Sequence, residues 1–194
     1  MDDYFKKEIP YSFKDREFKF DVAETLFSTF AIDHGTDILI RAVEPNNPKR
    51  ILDIGCGYGP LGIILAKTNP SAETIMLDRD LLAVAYASRN IQKNNVENAV
   101  ALGSVGVEEV KNKTFDLIVS NIPAKIGDRA ITNEFIIAPY KLLNPGGEYW
   151  IVVVSALNRL IPVACSRNKI KVKEIRKRRG HTVYRIRKPG FKID

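Results

Sequence analysis

Cysteine is scarce in this 194-residue chain, and the two present, Cys56 and Cys165, offer neither a disulfide framework nor the paired spacing of a zinc site. A reducing compartment follows, the cytoplasm being the simplest. Histidine is equally rare. His34 and His181 stand far apart without ligand spacing, so no metal site is expected. Long apolar runs are absent too. The longest, from Tyr149 to Val154, is far below the roughly 20 residues of a membrane helix, and the opening Met-Asp-Asp-Tyr-Phe-Lys-Lys lacks the basic-then-apolar order of a signal peptide. There is no internal repeat, low-complexity segment or long linker. What remains is 45% hydrophobic and 27% charged, an ordinary soluble composition with length for one well-buried domain.

Acidic residues are nearly missing from one region only. Residues 164–194 hold twelve Lys and Arg against Glu174 and Asp194, whereas residues 1–163 are slightly acidic, within an overall charge of +7. This asymmetry favours a polyanionic partner, nucleic acid before membrane, because no amphipathic helix accompanies the charge. Residues 169–175 and 182–187 alternate around Arg176-Lys-Arg-Arg-Gly-His181, which predicts a β-hairpin and makes Arg176, Arg178 and Arg179 candidate phosphate contacts.

Residues 17–32 carry the partial alternation and aromatic content of one or two short strands. Asp33-His-Gly-Thr36, followed by Ile38, Leu39, Ile40 and Val43, reads as a turn and a capped helix ending near Pro45. From Arg50 onward strands and helices alternate. Strands are predicted over 51–54, 73–77, 99–102, 115–119 and 149–154. Helices are predicted over 60–67, 81–93 and 133–143, the second with Leu82, Ala85 and Ile91 among its apolar positions. This repetition implies a parallel sheet covered on both faces by helices. Ligands in such sheets bind at the carboxyl ends of the strands. The glycines at 55, 57 and 59, Asp78, Ser104 and Asn121 all fall there. A single domain over 1–194 is expected: an amino-terminal strand and helix extension (1–48), a cofactor-binding core (49–155), and a helix with the basic hairpin (156–194).

Asp53-Ile-Gly55-Cys-Gly57-Tyr-Gly59-Pro60 joins a buried strand to a helix through a turn lacking three Cβ atoms, so the backbone can lie against a bulky ligand. Pro60 suits the first helical position. Asp78, 19 residues beyond Gly59, stands where a ribose presents two hydroxyls, and a carboxylate can accept from both. Asp53 then separates a dinucleotide from S-adenosylmethionine. A carboxylate there suits the cationic amino-acid end of S-adenosylmethionine and would repel a pyrophosphate that needs bare amides at the helix start. Asn121-Ile122-Pro123 addresses the acceptor. Methylating an exocyclic amine or amide nitrogen is difficult because its lone pair is delocalised. The Asn121 side-chain carbonyl and the Ile122 backbone carbonyl can each accept one N–H, and Pro123 holds Ile122 extended. Simpler roles stand beside these: Asp80 as a helix cap, Ser104 as a turn residue, Cys56 as a small buried residue, Tyr58 packing either over a cofactor or against the loop, and Lys125 meeting either phosphate or solvent.

Asp53-Ile-Gly-Cys-Gly-Tyr-Gly59, Asp78, Asn121-Ile-Pro123, and the earlier Phe27-Ser28 with Asp33-His-Gly-Thr36, resemble the methyltransferase small domain of class I S-adenosylmethionine-dependent methyltransferases. Within it the chain is similar to ribosomal RNA guanine-N2 methyltransferases and their single-domain archaeal counterparts, over about residues 17–188. The resemblance implies a Rossmann-like α/β fold, with a mostly parallel seven-stranded sheet, helices on both faces and a C-terminal antiparallel hairpin. It also implies S-adenosylmethionine as cofactor, with the loop after Asp53 holding the methionine part, Asp78 the ribose, Ser104 and Val105 lying near adenine, and Thr36 belonging to the cofactor site. The implied partner is RNA. Two departures stand out. The family's amine-binding tetrapeptide often ends in an aromatic residue that stacks on the target base, whereas Ala124 stands here, and the often acidic position near adenine is Ser104. Glutamine-side-chain methylation of a protein, and a non-catalytic RNA-binding protein that holds S-adenosylmethionine, are the competing readings. Ala124 and the basic tail count against the first.

Overall fold

A computed structural model describes residues 4–26 and 31–190. Phe27 and Ser28 lie outside the described residues. The chain opens with β1 (Phe5–Phe13) and β2 (Arg16–Ala23), an antiparallel pair forming its own two-stranded sheet. β1 is absent from the sequence prediction because Pro10 and three charges interrupt its pattern. A two-stranded sheet is all edge and tolerates the proline. The hairpin docks on the helix of residues 81–93 through Asp21, which is 1% exposed yet paired with Arg89 (2.6 Å) and Lys93 (2.5 Å).

The main sheet contains β3 (Arg50–Ile54), β4 (Glu73–Asp78), β5 (Ala99–Gly103), β6 (Phe115–Asn121), β7 (Leu143–Val154), β8 (Val172–Arg178) and β9 (His181–Arg187). Their order is β5-β4-β3-β6-β7-β9-β8. The first five of that row run parallel, and β9 lies antiparallel between β7 and β8. The order reverses between β3 and β6, so the crevice at their carboxyl ends is the ligand position for an open sheet.

Alternate strand residues feed two cores. Ile51, Met76, Leu117, Val119, Val152 and Val183 pack with α1 (His34–Ile40), α2 (Pro60–Thr68) and α3 (Leu81–Lys93). Leu52, Ile54, Leu77, Ile118, Ile151 and Tyr184 pack on the other face, with α6 (Leu160–Arg167) and the helical segment before β7. Asp33 accepts from the Thr36 amide to cap α1, and Asp80 accepts from the Leu82 amide to cap α3.

Several predicted details change: α1 stops at Ile40 and not near Pro45, and β7 starts at Leu143 and not at 149. The helix expected over 133–143 begins earlier, as α4 (Asp128–Ala130), a π-helical segment (Ile131–Ile137) and α5 (Ala138–Leu142). The buried face of α3 is Ala83, Tyr86, Ala87, Asn90 and Ile91, while Leu82 and Ala85 are only half-buried, because the docked β2 shifts the covered stripe. The basic hairpin turns on Arg179 and Gly180 alone, with φ of 48° and 74°, the left-handed pair a tight two-residue turn requires. Arg176 and Arg178 therefore stand within β8.

Candidate active site

β3 carries Asp53 into the interior, 1% exposed, where one carboxylate oxygen accepts from the Gly62 amide of α2 (2.9 Å). Burial pushes this carboxyl up to about 7; the Gly62 bond opposes the shift and the nearby Asp78 adds to it. A buried acid poised in this way accommodates a cation beside it. Beyond Asp53 the chain turns through Gly55, Gly57 and Gly59, all at positive φ. A Cβ on Gly57 would meet nothing within 4 Å, and one on Gly55 only the Phe135 ring at 3.7 Å. The loop thus presents bare backbone to open space. Gly59 is different: its absent Cβ would collide with Met76 and Ile63 at 2.8 and 2.9 Å, so that glycine serves helix packing.

Asp78, at the end of β4, braces this loop. One oxygen accepts from the Gly57 amide and the other from the Asp80 amide, both at 2.9 Å. A carboxylate has about four acceptor positions, so two remain for a diol. Cys56 is buried, and burial raises its thiol well above the ordinary range, which rules out a thiolate nucleophile. Tyr58 turns inward against Phe20, with ring centroids 6.0 Å apart, and so packs under the loop.

The second half of the site stands across the crevice on β6. The Asn121 amide nitrogen donates to Asp33 Oδ2 (2.7 Å) and Thr36 Oγ1 (2.9 Å) on α1. An ionised carboxylate accepts only, so the nitrogen must face Asp33 and the carbonyl oxygen must face away. Neither that oxygen nor the Ile122 carbonyl accepts a hydrogen bond from any described residue. The Ile122 amide is engaged with the Val152 carbonyl (3.0 Å), which fixes the exit of the strand ahead of Pro123. Ser120, fully buried, donates to the Ile54 carbonyl (2.7 Å) and ties β6 to β3 where the glycine loop begins.

Ser104 sits at the carboxyl end of β5, its hydroxyl donating to the Gly106 carbonyl (3.2 Å) and accepting from the Glu109 amide (3.3 Å). Its hydroxyl closes its own loop, so the turn role accounts for both bonds. Val105 beside it is 68% exposed, and Leu81 is 71% exposed with its tip against Gly103. Two bare apolar side chains thus rim the crevice near Asp78. Ala124 and Lys125 are exposed just past Pro123. Arg176, Arg178 and Arg179 lie apart from this cluster, on the sheet edge.

Four roles are not legible in the sequence. Asp33 reads as a helix cap, but its bond to Asn121 spans 88 residues. Leu81 reads as the start of a helix, with no hint of its exposure. Ser120 follows the apolar run of residues 117–119 within β6, a usable signal. Asn90 lies at helical spacing from Ala83, Tyr86 and Ala87. It is fully buried, donates to the Tyr58 and Asp21 carbonyls (2.8 and 3.0 Å) and accepts from the Asp21 amide (2.8 Å). One amide thereby joins the glycine loop to the amino-terminal hairpin.

A sheet of this order, with an acid before a glycine loop on β3, a second acid closing β4 and an amide closing β6, defines a Rossmann-like class I methyltransferase fold. Residues 17–185 match the methyltransferase small domain, and the chain belongs to that family. It is 34% identical over 140 residues to ribosomal RNA small subunit methyltransferase C of Hahella chejuensis, covering 71% of this chain and 39% of that protein. It is 30% identical over 150 residues to YbxB of Bacillus subtilis, an uncharacterized protein, covering 76% and 74% respectively. The chain thus spans about two-fifths of the methyltransferase C relative. In fold it is similar to a 16S rRNA N2 methyltransferase, RsmC of T. thermophilus, solved with AdoMet and guanosine, at a TM-score of 0.79 and 22% identity over 95% of this chain and 51% of that one. Among the described residues no helix is long and apolar enough to cross a membrane, and no group of three or more His, Cys, Asp or Glu is placed to hold a metal ion.

Proposed function

We propose that the chain is a cytoplasmic, S-adenosylmethionine-dependent N-methyltransferase acting on an exocyclic amine of RNA, with guanine N2 of ribosomal RNA as the favoured acceptor. The observation that carries this reading is a pair of carbonyls at the carboxyl end of β6, Asn121 Oδ1 and Ile122 O, to which no described residue donates a hydrogen bond. Two acceptors suit an NH2 group, and an amine held by both hydrogens has its lone pair directed away from the two N–H bonds, out of the plane they define. S-adenosylmethionine supplies the methyl group on a sulfonium. Asp53 offers the buried negative charge for its cationic end, the loop from Gly55 to Gly59 offers bare backbone, and Asp78 accepts from ribose hydroxyls. Thr36, bonded to Asn121, belongs to the same cluster, and Val105 and Leu81 would flank the purine, with Ser104 shaping the loop that carries Val105. The two carbonyls orient the acceptor nitrogen, Pro123 fixes the direction of the second, and the surplus proton leaves to water after transfer. Lys125 and the arginines at 176, 178 and 179 attract phosphate. Ribosomal RNA small subunit methyltransferase C, the name of the relative above, supports the choice of RNA. Exposed Ala124 and the cationic tail count against a protein glutamine acceptor.

Asn121→Ala is expected to bind S-adenosylmethionine as the native chain does while losing most methyl transfer. Radiolabel from S-adenosylmethionine should enter fractionated RNA and not protein. Wild-type transfer by the variant refutes the role of Asn121, label in protein refutes the RNA acceptor, and no transfer by the native chain leaves only a binding protein.

A further inference from the structure

β8 is an edge strand, and its charges are sorted between its two faces by a single irregularity. The register with β9 runs Val172↔Ile186, Lys173↔Arg185, Glu174↔Tyr184 and then jumps to Arg176↔Val183, so Ile175 is an extra residue. Such a bulge places two consecutive side chains on the same face. Ile175 accordingly packs against the core under α1, as does Val183 opposite Arg176. Arg176 and Arg178 therefore share the α1 face with Lys173 and His181, whose ring lies against Gly35 of α1, 3.0 Å from where a Cβ would stand. Glu174 and Lys177 fall on the opposite face and pair at 3.5 Å, three residues apart in the chain. That face neutralises itself. Lys173, Arg176 and Arg178 have no acidic partner among the described residues, and Arg185 beside them is paired with Glu148.

The α1 face is also the face of the active site. Asn121 pairs with Val152, Val152 with Val183 and Val183 with Arg176, so one cross-strand row runs from the methyl-acceptor position to the unpaired arginine. Three strand spacings make that distance about 14 Å. We infer that the α1 face of the β8–β9 ribbon, with Lys173, Arg176 and Arg178, is a one-sided docking track for the phosphate backbone of the RNA substrate, and that the opposite face takes no part. The inference rests on the RNA reading above, and it names which arginines matter and which cation does not.

The test compares binding of a fluorescent RNA hairpin by the full chain, by Arg176→Gln/Arg178→Gln and by Lys177→Gln, across a salt series, with S-adenosylmethionine affinity and thermal unfolding recorded for each. Removing two phosphate contacts should lower the log–log salt slope by about 2 and weaken binding about 30-fold at physiological salt. Lys177→Gln should leave both quantities at the native values. If Lys177→Gln weakens binding as much per charge as the double variant, the one-sided track is refuted while RNA binding stands. If the native chain shows no salt-dependent binding of RNA, the RNA reading itself fails.

Discussion

Replacing Asp33 removes the one group that dictates which way round the Asn121 amide sits. Thr36 cannot do this alone, because a hydroxyl donates as readily as it accepts and would tolerate either orientation. A hydrogen bond to an ionised carboxylate contributes about 1.5–3 kcal/mol, and each 1.36 kcal/mol is tenfold in rate, so losing the orienting bond should lower kcat by about 10- to 150-fold. Asp33 also caps α1 through the Thr36 amide (3.2 Å), and alanine there would cost about 1 kcal/mol of stability besides. Asp33→Ser separates the two effects, since serine keeps the cap but can donate to a flipped Asn121. The expected variant unfolds near the native temperature, binds S-adenosylmethionine normally and transfers methyl groups slowly. In an Asn121→Ala background the same change should cost almost nothing more, because both act through one carbonyl. Native kcat in Asp33→Ser, or fully additive losses in the double variant, would refute the coupling.

The remaining expectations concern Asp53 and its partner Gly62. The Asp53 carboxyl titrates near 7 when folded and near 3.9 when unfolded, so the folded chain holds the extra proton between those values. Its stability without cofactor should therefore fall as pH rises through that window, by up to about 4 kcal/mol. Asp53→Asn keeps an acceptor for Gly62 and should abolish that slope; a native stability flat from pH 4 to 7 in denaturant titrations would contradict it. Gly62→Ala sets helix propensity against packing: propensity favours alanine by about 1 kcal/mol, but the new Cβ would lie 2.6 Å from Met76 Cγ and 3.0 Å from Asp53 Oδ2. Overpacking costs about 1–3 kcal/mol, so urea unfolding should show a net loss, and a stabilised variant would overturn the packing account.

The parallel core was legible because its signals are local. Asp53, the three glycines and Pro60 declare a strand, a turn and a helix within a dozen residues, and Asp78 and Asn121 each end an apolar run. What stayed hidden depends on partners distant in sequence. Asp33 reads as an ordinary cap until Asn121 is brought to it, and Gly35 looks like a turn residue until His181 fills the space beside it. The bulge at Ile175 leaves no mark in the alternation that predicts the hairpin, yet it decides which face Arg176 occupies.

Ala124 gives those arginines their importance. An aromatic residue after Pro123 would stack on the target base, a contribution of about 1–3 kcal/mol per base, and here that surface is one methyl group. Two carbonyls in the proposed role would fix an amine but be too few to hold a nucleoside, since a net hydrogen bond contributes about 0.5–1.5 kcal/mol. Orientation at the reacting atom must then draw on contacts elsewhere along the substrate, as remote binding energy does in enzymes generally. Among the described residues, the cations without an acidic partner nearest to Asn121 along a sheet row are those of β8. On the reading proposed above, a site built in this way is expected to select a polynucleotide over a free nucleoside, with recognition on the ribbon and chemistry on β6.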